Sequence, residues 1–193
     1  MNATRPSYIV GVGGSAGALN AYKALLRSLT VDTGMAFIIV SHISPDAHSQ
    51  LTQILSRCST MPTMLAAPGM RILANHVYVI PANADLELAQ DAFTVISPRS
   101  RRNAQIDIFF ASLAAAMGSH AIGVVLSGYD GDGTLGVQYI KEQGGTTFAQ
   151  DASAEVSSMP TSAQASTYVD FVLAPEKISE ALVQMGARFV RPE

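Results

Sequence analysis

Three residues of complementary chemistry stand just after short apolar runs: Ser15 after Tyr8-Ile9-Val10-Gly11-Val12, His42 after Met35 to Val40, and Asp132 after Ala121 to Leu126. A serine hydroxyl is a poor nucleophile near neutral pH. It needs a base within hydrogen-bond reach and a carboxylate that orients the base and stabilises its protonated form. His42 and Asp132 are candidates for those roles. Ser15 sits in Gly13-Gly14-Ser15-Ala16-Gly17, which fits the G-x-S-x-G elbow, in which small neighbours relieve crowding around a tightly turned serine. Each residue alone has a plainer use, as a helix cap or a strand-end polar group. The three types together, each beyond a strand end, specify an acyl-transfer site.

The segments that must carry these residues repeat a β-then-α order. The runs at 8–12, 35–40, 121–126, 146–150 and 168–173 are short and rich in β-branched residues, which predicts buried strands. Ala18, Leu19, Tyr22, Leu25, Leu26 and Leu29 recur three and four apart and predict a helix. Further helices are expected from Ser44-Pro45-Asp46, over 106–117, 134–143 and 161–166, and from Pro175 to near Gly186. Between Met61 and Pro98 the runs at 63–66, 77–80, 86–89 and 93–96 predict short strands, with Gln90-Asp91-Ala92 as a hairpin connection. The fold class expected is a three-layer α/β/α, doubly wound, mostly parallel sheet, Rossmann-like, with short antiparallel strands in the middle of the chain. In such sheets ligands bind beyond the carboxyl ends of the strands, where Ser15, His42 and Asp132 fall.

Composition narrows the class. A chain of 193 residues that is 48% hydrophobic can bury a core without disulfides, and with no linker and no internal repeat one domain over 1–193 is expected. The single cysteine, Cys58, reads as the structural end of an amphipathic helix. A net charge of -3 and the lack of a basic tract interleaved with aromatics argue against nucleic acid. No apolar run reaches eighteen residues and the N-terminus lacks a signal-peptide pattern, so no membrane insertion and a cytoplasmic location are expected.

Other motifs compete and fail on placement. Gly11-Val12-Gly13-Gly14-Ser15-Ala16 also satisfies the dinucleotide pattern G-x-G-x-x-A. Its ribose-binding acid belongs at the end of the second strand, whereas Asp32 precedes that strand. A calcium loop from Asp130 would need glycine at Leu135 and glutamate at Lys141. His48, His76 and His120 have no zinc-like spacing and read as solvated residues, so neither metal nor cofactor is expected. Arg99, Arg101 and Arg102 precede the 106–117 helix and are candidates to line the approach of a glutamate-rich substrate, or a solvated charge run.

The segments IVGVGGSAGALNAYKALL, MAFIIVSHISPD, HVYVIPAN, IGVVLSGYDGDGTLG, GGTTFAQD and MPTSA together resemble the catalytic domain of the chemotaxis receptor methylesterase (CheB) family, over nearly the whole chain. DTGMAF and DGTLG look most similar to the form fused ahead of a receptor methyltransferase. The resemblance implies hydrolysis of γ-glutamyl methyl esters on chemoreceptor cytoplasmic helices, deamidation of glutamines as a second activity, and a location at receptor arrays. It implies Ser15, His42 and Asp132 as the triad, without a cofactor. The backbone N–H groups of Ala16 and Tyr129 are the oxyanion candidates, Ala16 from its place after the elbow and Tyr129 by the resemblance. A regulatory or methyltransferase domain is an expected partner. Read from its first residue the sequence opens on the catalytic domain, so regulation without a leading receiver domain is expected, and it departs from the family in Asn103-Ala104 where Arg-Pro is frequent and in Ala16 where threonine is frequent. A non-catalytic receptor-binding or scaffold module on the same fold stays open as the alternative.

Overall fold

The structure is a computed structural model that describes residues 4–42 and 50–189. Seven strands form one parallel sheet in the order β3-β4-β2-β1-β7-β8-β9, comprising β1 (Ile9–Gly14), β2 (Ala36–Ser41), β3 (Thr63–Leu65), β4 (His76–Val79), β7 (Ala121–Val125), β8 (Thr146–Gln150) and β9 (Phe171–Leu173). The remaining pair, β5 (Asp85–Ala89) and β6 (Ala92–Ile96), is an antiparallel hairpin turned through Gln90 and Asp91, both at positive φ. Of the four expected middle strands, two thus extend the parallel sheet and two make the antiparallel element.

Helices cover both faces: α1 (Ala18–Arg27), α2 (Gln50–Ser56), α3 (Gln105–Met117), α4 (Thr134–Glu142), α5 (Ser158–Ala165) and α6 (Pro175–Phe189). Alternation along β1 explains the layering. Val10 and Val12 point to one face, into a cluster with Tyr22, Leu25 and Leu26 of α1 and Ile178 and Leu182 of α6. Gly11 and Gly13 face the other way, toward α3. A Cβ on Gly11 would lie 2.6 Å from the Phe110 ring, and one on Gly13 would lie 2.5 Å from Ile106 Cγ2. The missing side chains let α3 bed directly on the central strand, and this close approach brings the start of α3 beside the end of β1.

Three expected boundaries move for physical reasons. Gly186 does not end the last helix: a Cβ there would meet the Thr33 carbonyl oxygen at 2.4 Å, so the glycine serves close packing inside α6. The fifth helix starts at Ser158 rather than Thr161, because Pro160 falls in its first turn, where no N–H partner is needed. The last strand shortens to Phe171–Leu173 because a side chain takes over the preceding backbone: the Thr147 hydroxyl donates to the Tyr168 carbonyl at 2.6 Å and accepts the Asp170 N–H at 3.0 Å. Cys58 lies two residues beyond α2, and His76 opens β4, its ring nitrogen 2.8 Å from the Ala74 carbonyl oxygen. The expected helix start at Ser44-Pro45-Asp46 lies outside the described residues.

Candidate active site

Strand β1 is the centre of the sheet, paired with β2 on one side and β7 on the other. The chain passes from β1 to β2, on to the edge strand β3 and back to β4 between β2 and β3, then crosses to β7 on the opposite flank of β1. The crevice at that reversal lies beyond the carboxyl ends of these strands. Ser15, His42 and Asp132 occupy the segments that leave β1, β2 and β7 there.

Ser15 is half-buried on a tight connection from β1 to α1, whose N-cap, Gly17, has φ 72. A side chain at Gly17 would be strained by that dihedral and would approach Ser127 Oγ to 2.8 Å. The Ser15 N–H donates to the Ser127 carbonyl at 2.9 Å, and the Ser127 hydroxyl is 2.9 Å from the Ala16 carbonyl oxygen and accepts the Val156 N–H at 2.9 Å. Ser127, fully buried, therefore rivets the turn after β1 to the loop after β7. Ala16 and Tyr129 lie on those two joined segments. The Tyr129 side chain is 72% exposed, so any part it has at the rim is through its backbone or its outer face.

His42 is held from below by β2. The buried Tyr22 hydroxyl of α1 reaches the Val40 carbonyl at 3.4 Å, and burial pushes that phenol well above its ordinary range, so it stays a neutral donor. The His42 ring, 7% exposed, places Nε2 2.6 Å from Asp132 Oδ2 and Nδ1 3.5 Å from Asp130 Oδ2. Among the described residues no hydrogen bond links Ser15 Oγ to the ring. Nε2 is committed to Asp132, and Nδ1 is the ring nitrogen that faces away from it, toward Asp130. In the familiar serine triads the carboxylate takes Nδ1 instead.

Asp132 has a fully buried carboxylate, satisfied from two directions. Oδ2 accepts the Ile106 N–H at 3.0 Å in addition to facing His42, and Oδ1 accepts the Asp107 N–H at 2.9 Å. It thereby caps α3, whose own N-cap, Ala104, makes no side-chain bond. Asp107 returns the favour. Its Oδ1 accepts the N–H groups of Gly133 at 2.9 Å and Gly136 at 2.7 Å, capping α4. The two helix starts are cross-braced by two carboxylates, and sequence reasoning missed Asp107 altogether. Burial, against the opposing pull of the Gly136 N–H and with a push from the Asp132 charge, raises the Asp107 carboxyl to about 6.

The arginine loop is anchored by Asp85, which is buried and accepts the Ser100 N–H and hydroxyl at 2.6 Å each and Gln105 Nε2 at 2.9 Å. Burial alone would raise this carboxyl, but those bonds and the Arg99 charge outweigh it and hold it low. Arg101 and Arg102 are exposed and Arg99 is half-buried, all on the segment leading into the helix that Asp132 caps. Asp32 lies in the loop before β2, at the opposite edge of the sheet from Ser15, so the glycine-rich turn and this acid do not form one nucleotide site. Among the described residues no three His, Cys, Asp or Glu side chains gather as a metal site would require.

Ser, His and Asp side chains carried beyond the strand ends at the switch point of a parallel sheet are groups of the kinds that acyl transfer needs. The family model described as CheB methylesterase matches residues 10–182, and the chain belongs to that family. A putative protein-glutamate methylesterase/protein-glutamine glutaminase of Leptospira interrogans is 34% identical over 178 residues, covering 90% of this chain and 92% of that protein. The protein-glutamate methylesterase/protein-glutamine glutaminase of Photorhabdus laumondii is 32% identical over 182 residues, but the match covers only 52% of its length. The crystal structure of the Thermotoga maritima CheB methylesterase catalytic domain superposes with TM-score 0.85 at 25% identity, covering 94% of this chain and all of that one.

Proposed function

We propose that the protein is a protein-glutamate methylesterase working as one catalytic domain over 1–193, with Ser15 as nucleophile, His42 as base and Asp132 as the carboxylate that orients it. The observation that carries this reading is the buried 2.6 Å pair between His42 Nε2 and Asp132, set at the sheet edge where the Ser15 turn is fastened to the same loop. The names of the relatives support the substrate: a glutamyl methyl ester, or a glutamine side-chain amide, of a protein.

Ser15 Oγ attacks the ester carbonyl while His42 Nδ1 takes its proton. The charge on the ring is stabilised by Asp132. The oxyanion is received by the backbone N–H groups of Ala16 and Tyr129. Collapse expels methanol, which carries away the proton held by His42. A water molecule, deprotonated by the freed base, cleaves the glutamyl ester of Ser15 and returns a glutamate and the resting enzyme. With a glutamine substrate the same steps release ammonia. Arg99, Arg101 and Arg102 draw an acidic receptor segment toward the edge. The working partner is a methylated chemoreceptor cytoplasmic domain, met in the cytoplasm at receptor arrays, with a regulatory or methyltransferase domain as neighbour. No cofactor takes part in this scheme. No helix among the described residues is long and apolar enough to cross a membrane.

The test is methanol release from methylated chemoreceptor cytoplasmic fragments by the intact chain, Ser15→Ala and His42→Ala. Release by the intact chain alone supports the triad. Release that survives both substitutions would overturn it, and no release across several receptors would move the reading to a binding module.

A further inference from the structure

Two carboxylates of one turn straddle the His42 ring. Asp132 Oδ2 meets Nε2, and Asp130 Oδ2 faces Nδ1 at 3.5 Å. The two differ in surroundings, since the Asp132 side chain has no exposure and that of Asp130 is 30% exposed. Asp130 is kept in place through Oδ1, which accepts the Asp132 N–H at 3.1 Å, and this leaves Oδ2 turned to the ring. An ionised carboxylate can only accept hydrogen bonds. It therefore rewards a proton on Nδ1 and offers nothing to a bare lone pair there. Nδ1 is the nitrogen that takes the Ser15 proton in the mechanism above.

We propose that Asp130 is a second carboxylate partner of His42, bearing on the nitrogen that receives the nucleophile's proton and stabilising the imidazolium as it forms. The assignment rests on the triad reading. The transition state gains, because positive charge develops on the ring within 3.5 Å of an anion. Among the described residues, the charged groups facing the ring are Asp132 and Asp130, both from the turn after β7, with Asp107 of α3 behind Asp132. A purely architectural role, holding the turn through Oδ1, is the competing explanation.

Asp130→Asn separates the two, since its amide oxygen still accepts the Asp132 N–H while the charge is gone. Methanol release is followed against pH for the intact chain, Asp130→Asn and Asp130→Ala. In parallel, the rate at which phenylmethylsulfonyl fluoride modifies Ser15 is followed, a reaction in which Oγ displaces fluoride and loses its proton to the same base. The plateaus of both profiles should fall about tenfold in both variants, with KM for the ester little changed. An Asp130→Asn protein with the parent's plateau, beside a defective Asp130→Ala, would overturn the proposal in favour of the turn. If the intact chain is modified at Ser15 but releases no methanol, the substrate reading fails and the sulfonylation profiles still decide on Asp130. If Ser15 is not modified at all, the triad and the role of Asp130 fall together.

Discussion

Replacing Asp107 by asparagine should stabilise the protein at neutral pH, although it removes a charged residue that caps a helix. The asparagine oxygen keeps accepting the Gly133 and Gly136 N–H groups, while the buried charge beside Asp132 disappears. The Asp107 carboxyl lies at about 6 in the folded protein against 3.8 ordinarily. Between these values the native state holds a proton that the unfolded chain has lost, so stability from this group falls as pH rises through that window. Above pH 6 the cost is complete. At about 1.4 kcal/mol per pH unit the difference amounts to roughly 3 kcal/mol. Solvent on the open side of this half-buried group trims the figure to about 1–2 kcal/mol. For a chain of this size that is a gain of about 2–8 °C in Tm. Thermal unfolding of the parent and Asp107→Asn is compared at pH 8 and near pH 4. The gain should appear at pH 8 and vanish at pH 4. A loss of Tm at pH 8 would refute the reasoning, because the charge itself would then do the capping, and so would an equal difference at both pH values, because the charge would then not be what the substitution relieves.

Asp132→Asn should leave Ser15 in place but cut kcat on the order of 10⁴, because the ring loses its orienting anion; steady-state methanol release reports it. Neutralising Arg101 and Arg102 together should raise KM for an acidic receptor fragment several-fold with kcat unchanged, and the difference should shrink as salt is added. Gly13→Ala would drive a methyl group to 2.5 Å from Ile106 Cγ2, so denaturant unfolding should show a loss of about 1–3 kcal/mol. Asp85→Ala strands the Ser100 and Gln105 donors at the root of the arginine loop and should cost about 2–4 kcal/mol by the same assay.

The architecture was legible because the buried strands are compact, largely apolar runs bounded by polar, glycine or proline residues, and Thr146–Gln150 emerges with the expected bounds. The shared placement of Ser15, His42 and Asp132 was legible because strand ends in a parallel sheet lie along one edge, so order along the chain becomes proximity in space. What escaped was everything set by approach between elements. Gly11 and Gly13 read as part of a motif, whereas their larger role is to admit Phe110 and Ile106 against β1. Asp107 looked like an ordinary acid in a helical stripe. Its work depends on α4 standing next to α3, a fact that no periodicity in 106–117 contains, although an acid in a first turn was an available hint. Gly186 misled for the same reason, since the contact with Thr33 spans most of the chain.

The polarity of the sheet sets the reach that any tethered neighbour would need. Thr4 to Ser7 run along the edge where the strands begin, pinned by the Ser7 N–H to the Gly34 carbonyl and the Ala74 N–H to the Thr4 carbonyl. Ser15 opens at the other edge, six strand residues away, a span of roughly 20 Å. A domain joined ahead of Thr4 would therefore enter behind the sheet and would have to travel along its flank to shade the serine. Control from that side would be exerted by a wrap over the helices, and substitutions on their outer faces, far from the chemistry, would be the ones that cut the leash.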